Sequence, residues 1–399
     1  GIISDKDIVE HIVYSIEDEQ NKKFLELLMP SIIEASPIQS EKLALEYISS
    51  ALMYKTKINA DNDVKLKYVQ DILLSELLPH VGVSKNRKAW FLGLMVNKLL
   101  KHAIGLIKSD DRDSFINKRV ETTGDLMTSL FRVHFSKMIK DLRSSIEKDI
   151  KQGRIMDLSS TLNKKIKTKT IEQGIKYALS TGNWGLKNQE NKKGIAQLLN
   201  RLSYASSLSH CRRIIAPIQR SGKLTEPRKL HNSQWGYICP CESPEGGSIG
   251  IVKNMSLMTH ITTGSNYDIV YSVLEEEKVV YLESITASDV LIYPKIMVNG
   301  NWIGIHKNPE DLYTKLKNYK LEGIFNIYTS ISWIIQDGVI EILTDPGRLC
   351  RPLYIVNDNK IQITKEIVKS INQGKLQWDD LCANLKDHKE LKTSKGVIE

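Results

Sequence analysis

With 399 residues, 41% of them apolar and 26% charged, the chain is long enough for two or three domains and too apolar to be mainly disordered. Its 23 glycines and 11 prolines are too few for a fibrous or linker-like protein, and nothing approaches the ~18 uninterrupted apolar residues of a membrane helix. The formal charge is +9, yet residues 137–231 hold 21 Lys and Arg against 7 Asp and Glu, the footprint of a polyanion site or of a solvated Lys-rich face.

In chain order, residues 1–135 read as helical. Asp7 to Val13 opens an amphipathic turn, and Asn21 to Met29 predicts a helix stopped by Pro30. Thr56 to Asp63 reads as a loop, Val64 to Leu78 as a long helix, and Arg87 to Ile107 as a third helix capped by Ser84 or Asn86. Asp110-Asp111-Arg112-Asp113 breaks the run; its carboxylates fit a helix N-terminus better than a metal site. A basic helix is expected over Leu126 to Lys151, then turn chemistry at Thr181–Gly185 and a polar loop at Lys187–Lys193.

Further on, Tyr237–Leu257, Val279–Ile305 and Ile327–Leu343 read as short strands, with Asn299-Gly300 at the tight turn of a hairpin. Residues 360–399 look helical, with Trp378 and Leu381 facing inward. The fold class is therefore α+β and multidomain: a mainly helical N-terminal part followed by strand-rich modules. The five cysteines (Cys211, Cys239, Cys241, Cys350, Cys382) have no zinc-type spacing and read as reduced thiols. The chain opens on Gly1 with no leader pattern, which reads as a piece cut from a longer chain.

No phosphate-binding GxxxxGK[ST] loop, HExxH, GxSxG or GxGxxG is present. The densest chemistry is at 194–258. A hydroxyl-rich run from Asn200 ends in His210-Cys211-Arg212-Arg213; a turn carries Arg220 and Lys223; and Glu242 and Glu245 bracket Ser243-Pro244 in a tight corner. Guanidinium forks, hydroxyls and turn N–H groups are what a phosphate backbone is tracked with. Only Tyr204, Trp235 and Tyr237 offer stacking, so backbone contact is favoured over base reading. His210 has no partner at catalytic spacing and reads as a hydrogen-bonding group.

Several ordered motifs here resemble one family. They are Leu208-Ser209-His210-Cys211-Arg212-Arg213, Pro217-Ile218-Gln219-Arg220-Ser221-Gly222-Lys223, Pro227-Arg228-Lys229-Leu230-His231-Asn232 with Trp235-Gly236, Cys239-Pro240-Cys241-Glu242-Ser243-Pro244-Glu245-Gly246, and Gly250 to Met258. Together they resemble the fork of the second-largest (beta-type) subunit of multisubunit DNA-directed RNA polymerases, in its eukaryotic or large-DNA-virus form. Arg87–Gly93, Asp110–Asp113, Lys176–Gly185, Val298–Gly304 and Thr344–Leu353 extend the likeness over nearly the whole chain. Ser243, Cys241 and Gly247-Ser248 depart from the usual pattern, and the last pair puts side-chain contacts just past the corner in doubt.

The resemblance implies a lobe-like region over 1–120, protrusion-base helices over 121–180, the fork over 181–262 and external modules over 263–399. It implies that His210, Arg212, Arg213, Arg220, Lys223 and Arg228 face nucleic acid, with Arg220–Lys223 as a fork-loop tip at the bubble's edge. Glu242, Glu245, Lys253 and Asn254 would brace the corner. No catalytic residue and no metal ligand is expected in this piece, which lacks the family's catalytic motifs; Mg belongs to the assembled enzyme. Implied partners are the largest subunit, the remainder of the second, template DNA and the RNA–DNA hybrid, with no membrane. The implied location is the nucleus or, for a viral form, virion and host cytoplasm. Two other readings stand beside this one: a stand-alone basic nucleic-acid-binding protein, and a scaffold docking an acidic partner.

Overall fold

The computed structural model describes residues 4–16, 21–52, 62–153, 165–185, 192–218, 224–377, 381, 384–386, 390–392 and 397–398. The chain forms two compact units. One comprises 1–111, 263–345 and 352–399; the other comprises 112–262 and 346–351. Among the described residues no helix is long and apolar enough to cross a membrane.

The first unit begins with five helices: α1 (Asp5–Val13), α2 (Asn21–Ala35), α3 (Glu41–Ala51), α4 (Asn62–Ser75) and α5 (Lys85–Ala103). Ser4, Ser40 and Ser84 cap α1, α3 and α5 through their hydroxyls. Pro30 does not stop α2, contrary to the expectation from sequence; it sits inside the helix. The stripe Phe24, Leu28 and Ile32 runs past it and packs on Val9, Val13 and Leu100. That burial offsets the roughly 3 kcal/mol that an interior proline costs. The α4 helix ends at Ser75 rather than Leu78, whose φ is +48°. Buried Lys88 donates to the α4 carbonyls of Leu73 and Leu74, both at 2.8 Å, where a cation meets the negative helix end. The α3 helix has no counterpart among the elements expected from sequence, and the expected Thr56–Asp63 loop falls largely on 53–61, outside the described residues.

The second unit holds α6 (Thr123–Lys151), α7 (Lys169–Thr181) and α8 (Tyr204–Cys211), then β1 (Arg213–Ile215), β2 (Val252–Asn254) and β3 (His260–Ile261). Leu130, Ala178 and Trp184 form the α6–α7 core, and the Trp184 indole N–H donates to Leu126 O. Gly174 lies so close to His134 that a β-carbon would sit 2.2 Å from the ring. The His134 ring is buried with Nε2 unpartnered, and burial, then the Lys137 charge, holds its pKa below the ordinary value. The unfolded chain thus takes up the proton first as pH falls through ~6.5, and stability is lost there. His134→Met is expected to shrink the drop in melting temperature between about pH 7.5 and 5.5; an unchanged drop would place its cause elsewhere.

The chain then returns to the first unit with α9 (Asp268–Glu276), β4 (Val280–Tyr281), α10 (Ala287–Ile292), β5 (Lys295–Val298), β6 (Asn301–Ile305), α11 (Pro309–Leu321), β7 (Ser330–Ile334) and β8 (Val339–Leu343). The strands form one sheet in the order β4-β6-β5-β8-β7, antiparallel except for β5–β8. The expected hairpin is present. Asn299 (φ +50°) and Gly300 (φ +77°) turn β5 into β6 in the left-handed geometry that suits the strand twist. Val270, Leu274, Leu312 and Leu316 from α9 and α11 cover Ile296, Ile340 and Ile342.

Residues 346–351 leave this unit for the other. They carry β9 (Leu349–Cys350), which pairs with β3. Gly347 N donates to Thr262 O and Val120 N donates to Gly347 O. Past this segment, residues 360–399 are not one helical stretch. Only α12 (Lys365–Asn372) is helical among the described residues; Gly374 follows it at φ +71°, and short strands occupy 384–386, 390–392 and 397–398. Leu381 is buried as expected, while Trp378 lies outside the described residues.

Candidate nucleic-acid interface

The candidate interface is built on α8 and the β1–β2 pair. Ser203 and Ser206 form a reciprocal capping box at the start of α8. At its end, His210 Nδ1 accepts from Asn200 N–H (3.0 Å) and Nε2 faces Gln197 Oε1 (3.0 Å). Because Nδ1 is an acceptor, the proton resides on Nε2, which donates to Gln197. Both nitrogens are engaged, so His210 is a strut tying 197–200 to α8.

Arg212 and Arg213 are adjacent but differently used. Arg212 is half-buried, and its Nη2 donates to Ser256 O (2.5 Å), Leu257 O (3.3 Å) and Thr259 O (3.3 Å). Arg213, opposite Asn254 in the β1–β2 register, is exposed and has no side-chain partner among the described residues. Exposed Arg201 is likewise free, although no sequence motif singles it out as a site residue. Arg228 turns inward, donating through Nη1 to Gly247 O (2.7 Å) and Ile249 O (2.9 Å). Arg220 and Lys223 lie outside the described residues.

The expected strand run over 237–257 is mostly turn. Only β2 and an isolated Ile238–Met255 bridge are extended, and Gly246–Ser248 is a 3-10 turn. Ion–carbonyl and amide–carbonyl bonds hold this corner in place of a ladder. Lys253 is buried and donates to Gly250 O (2.5 Å) and Pro227 O (3.3 Å). Burial, then the Lys118 charge, lowers its pKa, with Asp113 opposing. Asn254 Nδ2 donates to Glu242 O (3.0 Å), Asn254 O accepts from Cys239 N, and the Glu242 carboxylate accepts the Ser209 hydroxyl. Glu245 is exposed with no partner among the described residues.

Arg351, from the returning 346–351 segment, stacks 5.4 Å above the Tyr237 ring and against Gly236. No local spacing in the sequence pairs these residues. Trp235 is 73% exposed and Tyr204 81%, so two of the three aromatic side chains are open to solvent. Cys211, Cys239 and Cys241 carry free thiols, and no cluster of three or more metal-ligating side chains occurs among the described residues. The corner presents the exposed cations Arg201 and Arg213.

The family described as RNA polymerase Rpb2, domain 2, matches residues 1–121; domain 3 of the same family matches 197–261, and domain 4 matches 296–357. The three occur in order on one chain. The chain belongs to the Rpb2 family of RNA polymerase subunits. It is 41% identical over 403 residues to DNA-directed RNA polymerase II subunit 2 of Arabidopsis thaliana, covering 100% of this chain and 32% of that relative. Subunit RPB2 of Encephalitozoon cuniculi is 40% identical over 96% of this chain and 33% of its own length. Subunit Rpo2 of Saccharolobus shibatae is 34% identical over 96% of this chain and 33% of its own length. The chain thus spans about a third of the curated relatives it matches. Within the Rpb2 family, the domain 3 match covers the entire α8–β2 corner.

Proposed function

We propose that this chain is an internal part of the second-largest subunit of a DNA-directed RNA polymerase, lining the DNA/RNA cleft and helping to keep the bubble open. The observation that carries the reading is the ordered run of three Rpb2 domains with 41% identity across the whole chain. On this reading, 1–120 is lobe-like, 121–180 is protrusion base, 181–262 is the fork and 263–399 is external. The partners are the largest subunit, the remainder of the second, template DNA and the RNA–DNA hybrid, in the nucleus. Catalysis and its Mg2+ belong to the assembled enzyme. Affinity purification from native extract is expected to recover the largest polymerase subunit. Recovery of nucleic acid with no polymerase subunit would overturn the assignment.

Within the fork, exposed Arg213 is the phosphate-facing cation, a role that the motifs also give to Arg220 and Lys223. His210, Arg212 and Arg228 support this surface through the bonds they make inside it. In polymerase assembled with this chain, Arg213→Ala is expected to lower the salt slope of bubble-DNA binding by about 1 while leaving melting unchanged. Arg212→Ala removes the guanidinium donor from three carbonyls, of which only Ser256 O keeps another, the Thr259 N–H, so it is expected to lower the melting temperature of the fork. An unaltered salt slope in Arg213→Ala would remove that residue from the interface.

A further inference from the structure

The aromatic core of the first unit ends in a cluster of like charges. On α5, Trp90 and Leu94 pack with Tyr14 and Trp302, and Lys98 and Lys101 continue the same helical stripe. Lys295, the first residue of β5, is half-buried with Nζ 5.7 Å from the Tyr14 ring centre and 5.8 Å from that of Trp302. Its N–H donates to Gly338 O, which brings the β7–β8 turn and its Asp337 alongside. Burial, then the charges of Lys101 and Lys98, lowers the Lys295 pKa to about 8, with Asp337 opposing. Burial lowers Lys101 too, again with Asp337 opposing and Lys98 adding to the fall. None of these four groups forms an ion pair among the described residues.

Tyr14 supplies an independent observation. It is 6% exposed, its hydroxyl has no hydrogen-bond partner among the described residues, and its φ is +66°. Burial raises its pKa, so the phenol remains a donor. The left-handed backbone is the C-cap of α1, but a buried donor without an acceptor is costly and calls for a partner. A multiply charged anion would satisfy both the donor and the surplus cations, and lysine ammonium groups are standard phosphate ligands.

We propose that Tyr14, Lys98, Lys101 and Lys295 form a binding site for a phosphoryl group, separate from the fork. Its source is free phosphate or a nucleic-acid backbone. An anion here favours the charged form of Lys295, so binding takes up protons near pH 8 and reduces the neutral amine available to acylating reagents.

The test follows the acylation rate of Lys295 in the full 399-residue chain by peptide mass spectrometry, with exposed Lys23 as internal reference. Inorganic phosphate is expected to slow Lys295 saturably relative to Lys23. Tyr14→Phe and the Lys98→Gln/Lys101→Gln double variant are each expected to raise the half-protecting concentration about tenfold or more. The double variant removes two charges from exposed Lys98 and half-buried Lys101 while keeping polar side chains, and its melting temperature checks folding. Protection by a single-stranded oligonucleotide but not by inorganic phosphate would support the site and assign the source to the backbone. If neither anion slows Lys295, or protection persists undiminished in a double variant that melts like the parent, the proposal is overturned. A failure of fork binding in Arg213→Ala bears on none of these readouts.

Discussion

Gly250→Ala is expected to dismantle the fork corner, at a cost of about 3 kcal/mol or more. Two costs combine at this position. Gly250 has φ +68°, where alanine is strained by roughly 1–2 kcal/mol. Its β-carbon would also sit 2.2 Å from Arg228 O and 2.5 Å from Arg228 Cα, atoms of backbone that cannot rotate aside. Moving the Glu226–Arg228 turn away breaks the Arg228 bonds to Gly247 O and Ile249 O and strips buried Lys253 of its acceptors at Pro227 and Gly250. Gly246 is the control. Its φ is +72°, but an added methyl group would meet nothing within 4 Å, so Gly246→Ala is expected to cost only about 1 kcal/mol. Hydrogen exchange across 226–254 separates the two. Equal loss of protection in both variants would mean that backbone conformation alone, and not the approach of Arg228, requires glycine at 250.

The same corner shows where sequence reasoning reaches its limit. Lys253, Asn254 and Glu242, which the motifs single out, all make hydrogen bonds within this corner. The division of labour among the arginines is not legible. Arg212 and Arg213 are identical in type and adjacent, but Arg212 is the C-cap of α8 and Arg213 the first residue of β1, so only the fold decides which one is engaged. The departure at Gly247-Ser248 puts side-chain contacts in doubt, yet Arg228 bonds the main-chain oxygen of Gly247, so side-chain identity there is not what the contact reads. Local signals serve the hairpin well, because Asn299-Gly300 carries its own left-handed turn preference. They fail at Pro30, where tertiary burial outweighs a local breaker, and after Gly374, where short strand pairs carry no periodicity long enough to read. The return of 346–351 to the unit holding 112–262 is a long-range pairing, and no residue spacing encodes it.

Gly93→Ala is expected to detach α1 from α5 and lower the stability of the first unit by about 1–3 kcal/mol. In an isolated helix the substitution would help, since alanine exceeds glycine by up to about 1 kcal/mol in the interior. Here the added β-carbon would lie 2.3 Å from His11 O and 3.0 Å from His11 C, both α1 backbone. A helix of nine residues is not stable alone, so α1 depends on this contact and on what flanks it. His11 rests against Trp90 with ring centres 4.2 Å apart, and buried Asn97 donates to Ile12 O at 2.8 Å. Pushing α1 outward by about an ångström breaks the Asn97 bond and leaves its amide buried and unpaired, a cost that exceeds the gain in helix propensity. Gly124, near the start of α6 with open space around it, gives the opposite sign: Gly124→Ala is expected to be neutral or stabilising. Paired melting curves decide the matter, because a Gly93→Ala chain that melts no lower than Gly124→Ala would show that α1 can shift without losing its seat.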